Sequence, residues 1–219
     1  MFAWLLGAYP YFGWAASGVI VTAILIAAGA YRGKAGERYS ISRHFISELG
    51  EVGVSRLAVV FNAGLMIGGF FFLLMMLGVG AGFNSVWGYL AMAAGMVAAV
   101  GCIFVGIFPM NNIKPHAAAA MTYFRAGLAA VLLFCIAIIL QPADRVVMPY
   151  YSLVFSLVAV AAYTAFLVHA GQVEKKVKSQ SSLDTSEIKE RPAFWWMPFL
   201  EWMVFFSTIL WFVVICTVR

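Results

Sequence analysis

The residues of this chain that could carry chemistry gather in a few short stretches. The densest is "RHFISELGEVGVSRLAVVFN", residues 43–62, which holds Arg43, His44, Ser47, Glu48, Glu51, Arg56 and Asn62. A three-residue spacing puts Glu48 and Glu51 on one side of a short helix. The stretch reads as a re-entrant or surface segment that folds over the cytoplasmic mouth of a helix bundle and offers carboxylates and a histidine there. The same residues also suit a solvated loop at a membrane boundary, and both readings stay open. His116, Asn111, Asn112, His169 and Glu201 are expected at the same level of the molecule.

Each of these residues has a plain structural use as well. In "FPMNNIKPH", Pro109 ends one helix, Asn111 and Asn112 favour a tight turn, and Pro115 suits the first turn of the next helix. His116 then stands at the entrance of a bundle, as a structural hydrogen-bonding group or as a catalytic one. His169 ends an apolar run and suits a cap on its carbonyls. Glu201, shortly after Pro198, complements a helix dipole and is also a candidate partner for Arg125. Arg125 itself is ten residues past Pro115, about 15 Å along a helix. There an arginine costs about 2.5–3.5 kcal/mol to insert, so a carboxylate partner or a lipid phosphate is expected beside it, with snorkelling back to the cytoplasmic interface as the alternative. His116 and Arg125 are nine residues apart, near 180° on a regular helix. They converge only if His116 lies before the helix begins.

These spacings define three candidate sets. The catalytic set is Ser47, Glu48 and His116; the ligand-binding set is Glu51, Asn62, Asn112, Arg125 and Glu201. A metal set of His44, His116 and His169 would let zinc activate water, with Glu48 as base. No H-x-x-x-H or H-E-x-x-H pair places two ligands on one helix face. Cys102, Cys135 and Cys216 fall in apolar runs without a C-x-x-C pair, and so read as small buried residues. No disulfide framework or zinc-cluster spacing is present, and the cofactor is left open.

The elements that hold these groups follow from composition. Of 219 residues, 64% are hydrophobic and 11% charged, and the mean hydropathy is +0.94. A soluble domain is nearer 45–50% apolar and about 25% charged, so the chain reads as an integral membrane protein. Spanning the hydrocarbon takes about 20 apolar residues. Six runs qualify, at about 11–31, 56–79, 87–108, 117–140, 150–169 and 199–218. The expectation is one all-α domain, a six-transmembrane-helix bundle spanning residues 1–219. Residues 1–10 read as an interfacial lead-in, Ser55 as the N-cap of the second span, and 171–195 as a mobile cytoplasmic loop. Gly64 with Gly68, and Gly78 with Gly82, have the spacing that lets helices approach closely in lipid.

Of the 14 Lys and Arg residues, eleven fall in or beside the first, third and fifth connections. Arg145 and Arg219 lie on the opposite side, and Arg125 lies within a span. Short cytoplasmic loops carry the positive excess, which places both termini outside the cytoplasm and the protein in the cell's inner membrane. The net charge of +5 then faces anionic lipid, so membrane lipid is the expected partner and nucleic acid is not. Oligomeric state is left open.

With "ISELG" (Ile46 to Gly50), "FNAGL" (Phe61 to Leu65), "GIFP" (Gly106 to Pro109) and His116 in place, the chain resembles a bacterial and archaeal six-span membrane family, domain of unknown function 998. It is also distantly similar to the eukaryotic Frag/DRAM/Sfk membrane proteins, some of which take part in lipid or glycolipid-anchor remodelling. Their acidic Ser-Asp-Thr-Gly-like segment occupies the place held here by Ser47, Glu48, Leu49 and Gly50, with Glu for Asp and Leu for Thr. The resemblance implies a fold and a location for a site, and no reaction. Three functions follow as expectations. The first is binding of lipid head groups at a cytoplasmic mouth, with Arg125 and the basic rim on phosphate and Glu48, Glu51 and His116 lining the opening. The second is a metal-dependent intramembrane hydrolase, and the third a small transporter or an accessory subunit without chemistry. A haem carrier fits less well, because all three histidines lie on one side.

Overall fold

Apolar runs of this length satisfy their backbone groups in lipid only as helices or closed barrels, and this chain forms helices. The computed structural model describes residues 3–179 and 192–217. Six helices are found there: α1 (Ala3–Ala30), α2 (Ala58–Gly82), α3 (Val86–Ile107), α4 (Ile113–Ile139), α5 (Ser152–Ser179) and α6 (Trp196–Thr217). The shortest have 22 residues, about 33 Å of helix against a hydrocarbon core of about 30 Å. All six are long and apolar enough to cross a membrane. The protein is a multi-pass membrane protein built as a six-helix bundle.

The helices form a closed ring, each packing on its neighbours in the chain, with α1 closing against α6. Close approach at small residues holds the ring. A Cβ on Gly64 would strike Ala23 of α1, and one on Gly101 would strike the backbone of Tyr123 in α4. Two apolar cores result. The larger holds Phe72, Met75, Met76, Phe134, Trp211 and Phe212; the smaller holds Ile24, Tyr31, Ile46, Leu49, Phe61, Leu65 and Trp202 at the other end. Because the helices alternate in direction, that second end receives the connections α1–α2, α3–α4 and α5–α6. It is the basic end of the bundle, after the Lys and Arg that these connections carry.

Several boundaries differ from the sequence reading. Residues 3–10 are the first turns of α1, with Pro10 inside the helix. The missing proline N–H loses one helical bond, less than leaving a whole turn of backbone unpaired in lipid would cost. The fifth helix runs on to Ser179, so His169 lies mid-helix and caps nothing. Residues 171–179 of the expected mobile loop are therefore helical, and 180–191 lie outside the described residues. Ser55 does not cap α2. The N-cap is Leu57 without a side-chain bond, and the Ser55 hydroxyl is buried without a partner among the described residues.

Candidate functional site

At the basic end the connection from α1 to α2 folds back across the bundle. Its aromatic rings set its course. Tyr31, the residue after α1, is 1% exposed and packs edge-on against Tyr39 and His44 at 5.4 and 5.3 Å. Trp202 of α6 donates its indole N–H to the Tyr39 hydroxyl at 3.1 Å. That hydroxyl donates to the carbonyls of Phe45 and His44 at 2.9 and 3.2 Å. Burial pushes the Tyr39 hydroxyl far above the usual phenol range, so it stays a protonated donor.

The chain then makes one turn of 3-10 helix, Ile46–Gly50. The carboxylate of Glu48, three residues in, accepts from the Phe45 N–H at 2.9 Å. Tyr31 donates to its other oxygen at 3.4 Å. The helices fasten this turn from outside. Ile46 N–H donates to Glu201 Oε2 at 2.7 Å, and Asn62 Nδ2 donates to the Gly50 carbonyl at 3.1 Å. Asn111 takes the Val52 N–H on its oxygen at 2.7 Å and gives its amide to the Val52 carbonyl at 2.9 Å. Trp195 N–H donates to the Ser42 carbonyl at 2.8 Å. The segment is a plug, tied by side chains of α2 and α6 and by the α3–α4 connection.

Beneath the plug lies a cavity of about 90 Å³, bounded by α1, α2, α3, α4, α6 and the 3-10 helix. Ser47, His116 and Glu201 line its plug end, while Ile20, Phe61, Leu65, Phe72 and Phe212 line the rest with Cys102, Tyr123 and Thr208. Nδ1 of His116 is 2.7 Å from the Phe108 carbonyl. A carbonyl only accepts, so in the neutral ring Nδ1 carries the hydrogen and Nε2 is the acceptor. The Ser47 hydroxyl makes its bond with Met110 Sδ at 3.8 Å rather than with His116. Beyond Thr208, three hydroxyls touch: Thr208 donates to Tyr163 at 3.0 Å and Tyr163 to Tyr123 at 3.3 Å. No lysine or arginine lines the cavity.

The structure therefore brings together part of the expected set. Ser47, His116 and Glu201 share one cavity. Glu48 is a buried staple that is not among the residues lining this cavity; it borders a separate pocket with Lys34 and Glu51. Glu51 is half-buried and pairs with Lys34 at 2.9 Å. Asn62 belongs to the fastening, and Asn112 is exposed at the start of α4 with no cap bond. Arg125 is exposed on the outer face of α4. Among the described residues it has no interior partner, because His116 already sits in the first turn of α4 and nine residues turn the helix by 180°. The inward side of α4 is His116's, so Arg125 points out.

The three histidines are also separate. His44 is 2% exposed, and its Nδ1 accepts from the Ser40 N–H at 3.1 Å. Its Nε2 lies 3.6 Å from Glu37. The Glu37 carboxyl is held below the usual range, first by its own backbone N–H and also by that of Ala35 and by His44. His169 is half-buried along α5. Among the described residues no three His, Cys, Asp or Glu side chains come together to hold a metal.

Tyr123 and Thr208 are absent from the sequence reading, although a signal existed. Tyr123 follows His116 by seven residues and Thr208 follows Glu201 by seven, which is two helical turns on the same face.

A family model described as "Protein of unknown function (DUF998)" matches residues 14–218. No curated protein and no solved structure matches the chain, so nothing in these comparisons bears on the likeness to Frag/DRAM/Sfk proteins.

Proposed function

The chain belongs to the DUF998 family, whose description assigns no activity, and we propose from the geometry that it binds the polar end of a membrane amphiphile in the cavity under the plug. One observation carries this reading. A carboxylate, an imidazole with an accepting nitrogen and a hydroxyl border one end of an otherwise apolar cavity. Such a site, a few polar groups on an apolar wall, is what small-molecule pockets consist of.

The chemistry of the wall selects the ligand class. Glu201 Oε2 accepts from Ile46 N–H, and its carboxylate has further lone pairs to offer. His116 Nε2 is an acceptor as well. The ligand head is therefore a hydrogen-bond donor, a hydroxyl or an amine, and not a phosphate: a bare anion here would face Glu201 with no cation to balance it. About 90 Å³ takes a small head and its first carbons, compared with an apolar cavity of about 150 Å³ that admits benzene. Binding fits better than hydrolysis, because the Ser47 hydroxyl is not paired with His116 and the histidines do not form a metal set.

The placement of the site in the cell rests on the Lys and Arg distribution. The basic end faces the cytoplasm, both termini face outside, and the membrane is the plasma membrane. A reporter fused to the C-terminus that is active only in the cytoplasm should then be silent.

The binding test uses decylamine, decanol and decyl phosphate as probes of the purified protein in neutral detergent, followed by thermal stability. The amine and the alcohol should raise the melting temperature and the phosphate should not. Glu201→Gln should abolish the preference for the amine. Equal or better stabilisation by the phosphate, or an amine effect unchanged in Glu201→Gln, would overturn the proposal.

A further inference from the structure

Outside the bundle, α3 and α4 leave an apolar groove of about 640 Å³ lined by Met96, Val100, Phe104, Pro115, Ala118 and Thr122 among others. Arg125 follows Thr122 by three residues and Ala118 by seven, so all three share one face of α4, and all three are exposed. Arg125 has no hydrogen-bond or ion-pair partner among the described residues. It also stands near the middle of α4, twelve residues from Ile113 and fourteen from Ile139, or about 18 and 21 Å. We infer that this face is a docking surface for a membrane-spanning partner helix that carries a carboxylate at mid-depth.

Three observations select that occupant. Arginine within a membrane pairs with an acid or faces water, and here the protein's interior supplies neither. The described residues of a second copy do not supply the acid. Of the nine acidic residues, Glu37, Glu48, Glu51, Asp144, Glu174 and Glu201 are described, and none of these six falls at the level of Arg125 on an exposed helix face. Lipid phosphates lie beyond the hydrocarbon, about 15 Å from its midplane, whereas a carboxylate on a helix can be set at any depth. The groove beside Arg125 supplies the apolar seat for such a helix, and the guanidinium fork matches a carboxylate in a two-bond pair. Thr122 already spends its hydroxyl on the Ala118 carbonyl at 2.9 Å, which leaves that part of the groove without a free donor.

The test uses the full chain in phosphatidylcholine vesicles with an acceptor-labelled polyleucine helix bearing one central residue, Glu or Leu, and reads energy transfer from the chain's tryptophans. The Glu helix should bind roughly tenfold more tightly than the Leu helix. Arg125→Leu should erase that difference, Arg125→Lys should keep part of it, and Ala118→Trp should weaken both helices by filling the groove. Arg125→Leu removes a lone charge from the lipid face, so its folding is checked by a melting temperature no lower than the parent's. Should it fail to fold, Ala118→Trp carries the test. Equal binding of the two helices, or a Glu preference that survives Arg125→Leu, overturns the inference. So does displacement of the Glu helix by phosphatidylglycerol, which would make the occupant a lipid. Energy transfer between differently labelled copies that disappears in Arg125→Leu would make it a second copy, and overturns it as well.

Discussion

The two ends of the bundle handle buried polar groups in opposite ways. At the end away from the plug, the α4–α5 connection turns around Gln141, which is 7% exposed. Its amide donates to the Met148 carbonyl at 2.6 Å, and its oxygen accepts from the N–H groups of Val147 and Met148 at 2.9 and 3.1 Å. One side chain closes the turn with both its donor and its acceptor engaged. At the basic end the plug is fastened just as thoroughly but leaves atoms over. Three of the four buried side-chain atoms without a hydrogen bond among the described residues are His44 Nε2, Ser55 Oγ and Asn62 Oδ1. All three belong to the stretch from residue 43 to 62. Buried polar atoms are normally paired, so one end is closed for stability, while the other leaves polar atoms without a hydrogen bond in the plug and near the start of α2, none of them on residues that line the cavity.

The sharpest way to break that contrast is to damage the apolar half and look for an effect at the plug. Phe134 is fully buried against Phe83 and Trp211, at 6.0 and 5.5 Å between ring centroids. Phe134→Ala should cost about 3–5 kcal/mol of stability, read from unfolding in detergent, and should leave the amine preference of the folded fraction unchanged. Loss of that preference would show that the two ends are one unit.

Next in size is the fastening at Glu201. Glu201→Ala leaves the Ile46 N–H without its acceptor, worth about 1–3 kcal/mol. The loss should appear as faster backbone hydrogen exchange over residues 40–52 and should not reach Phe134. Glu201→Gln keeps an acceptor oxygen and should protect the plug while losing the amine. That pair of variants separates the two uses of one carboxylate. Asn111→Ala should come below it. The two bonds to Val52 lie in exposed surroundings, so about 0.5–1.5 kcal/mol is expected, confined to the exchange of Val52 and its neighbours.

This contrast also decides what was legible in the sequence. The fold was legible, because run length against bilayer thickness leaves little choice, and Gly64 with Gly68 marks where α2 meets α1. The plug was half legible. The stretch 43–62 stood out by composition, yet spacing left Glu48 and Glu51 open between a functional pair and boundary charges, and they prove to be a staple and a partner of Lys34. Local spacing shows which residues share a face of the turn and does not show which side that face takes. Glu201 was visible as an acid near a helix start, while its bond to Ile46, 155 residues away in sequence, has no local signature. Arg125 was misplaced for a simpler reason. The half-turn between His116 and Arg125 was readable from their spacing, and deciding which of them faces inward needed the start of α4. That start lies at Ile113, ahead of Pro115 rather than after His116.

The smallest expected effect concerns the outer rim of the plug. Lys34 and Glu51 make a salt bridge of 2.9 Å, with the lysine side chain 75% exposed and the glutamate 17%. An exposed pair of this kind is worth about 0–1 kcal/mol, and salt weakens it. Lys34→Ala should therefore destabilise the plug slightly at low ionic strength and not measurably in about 1 M salt, where the screening length falls to about 3 Å. Glu37 adds a pH-dependent part at the same rim. Its carboxyl is held below the ordinary range in the folded chain. Its contribution is thus complete above the unfolded carboxylate range, about pH 4–5, and is lost as pH falls through the lower folded value. Hydrogen exchange at Ala35 and Glu37, whose N–H groups hold that carboxyl, should quicken on acidification beyond the pH trend of the unfolded chain, while Val147 and Met148 keep their protection. If both ends loosened together, the plug would be part of the rigid frame and the unpaired polar atoms would need another explanation.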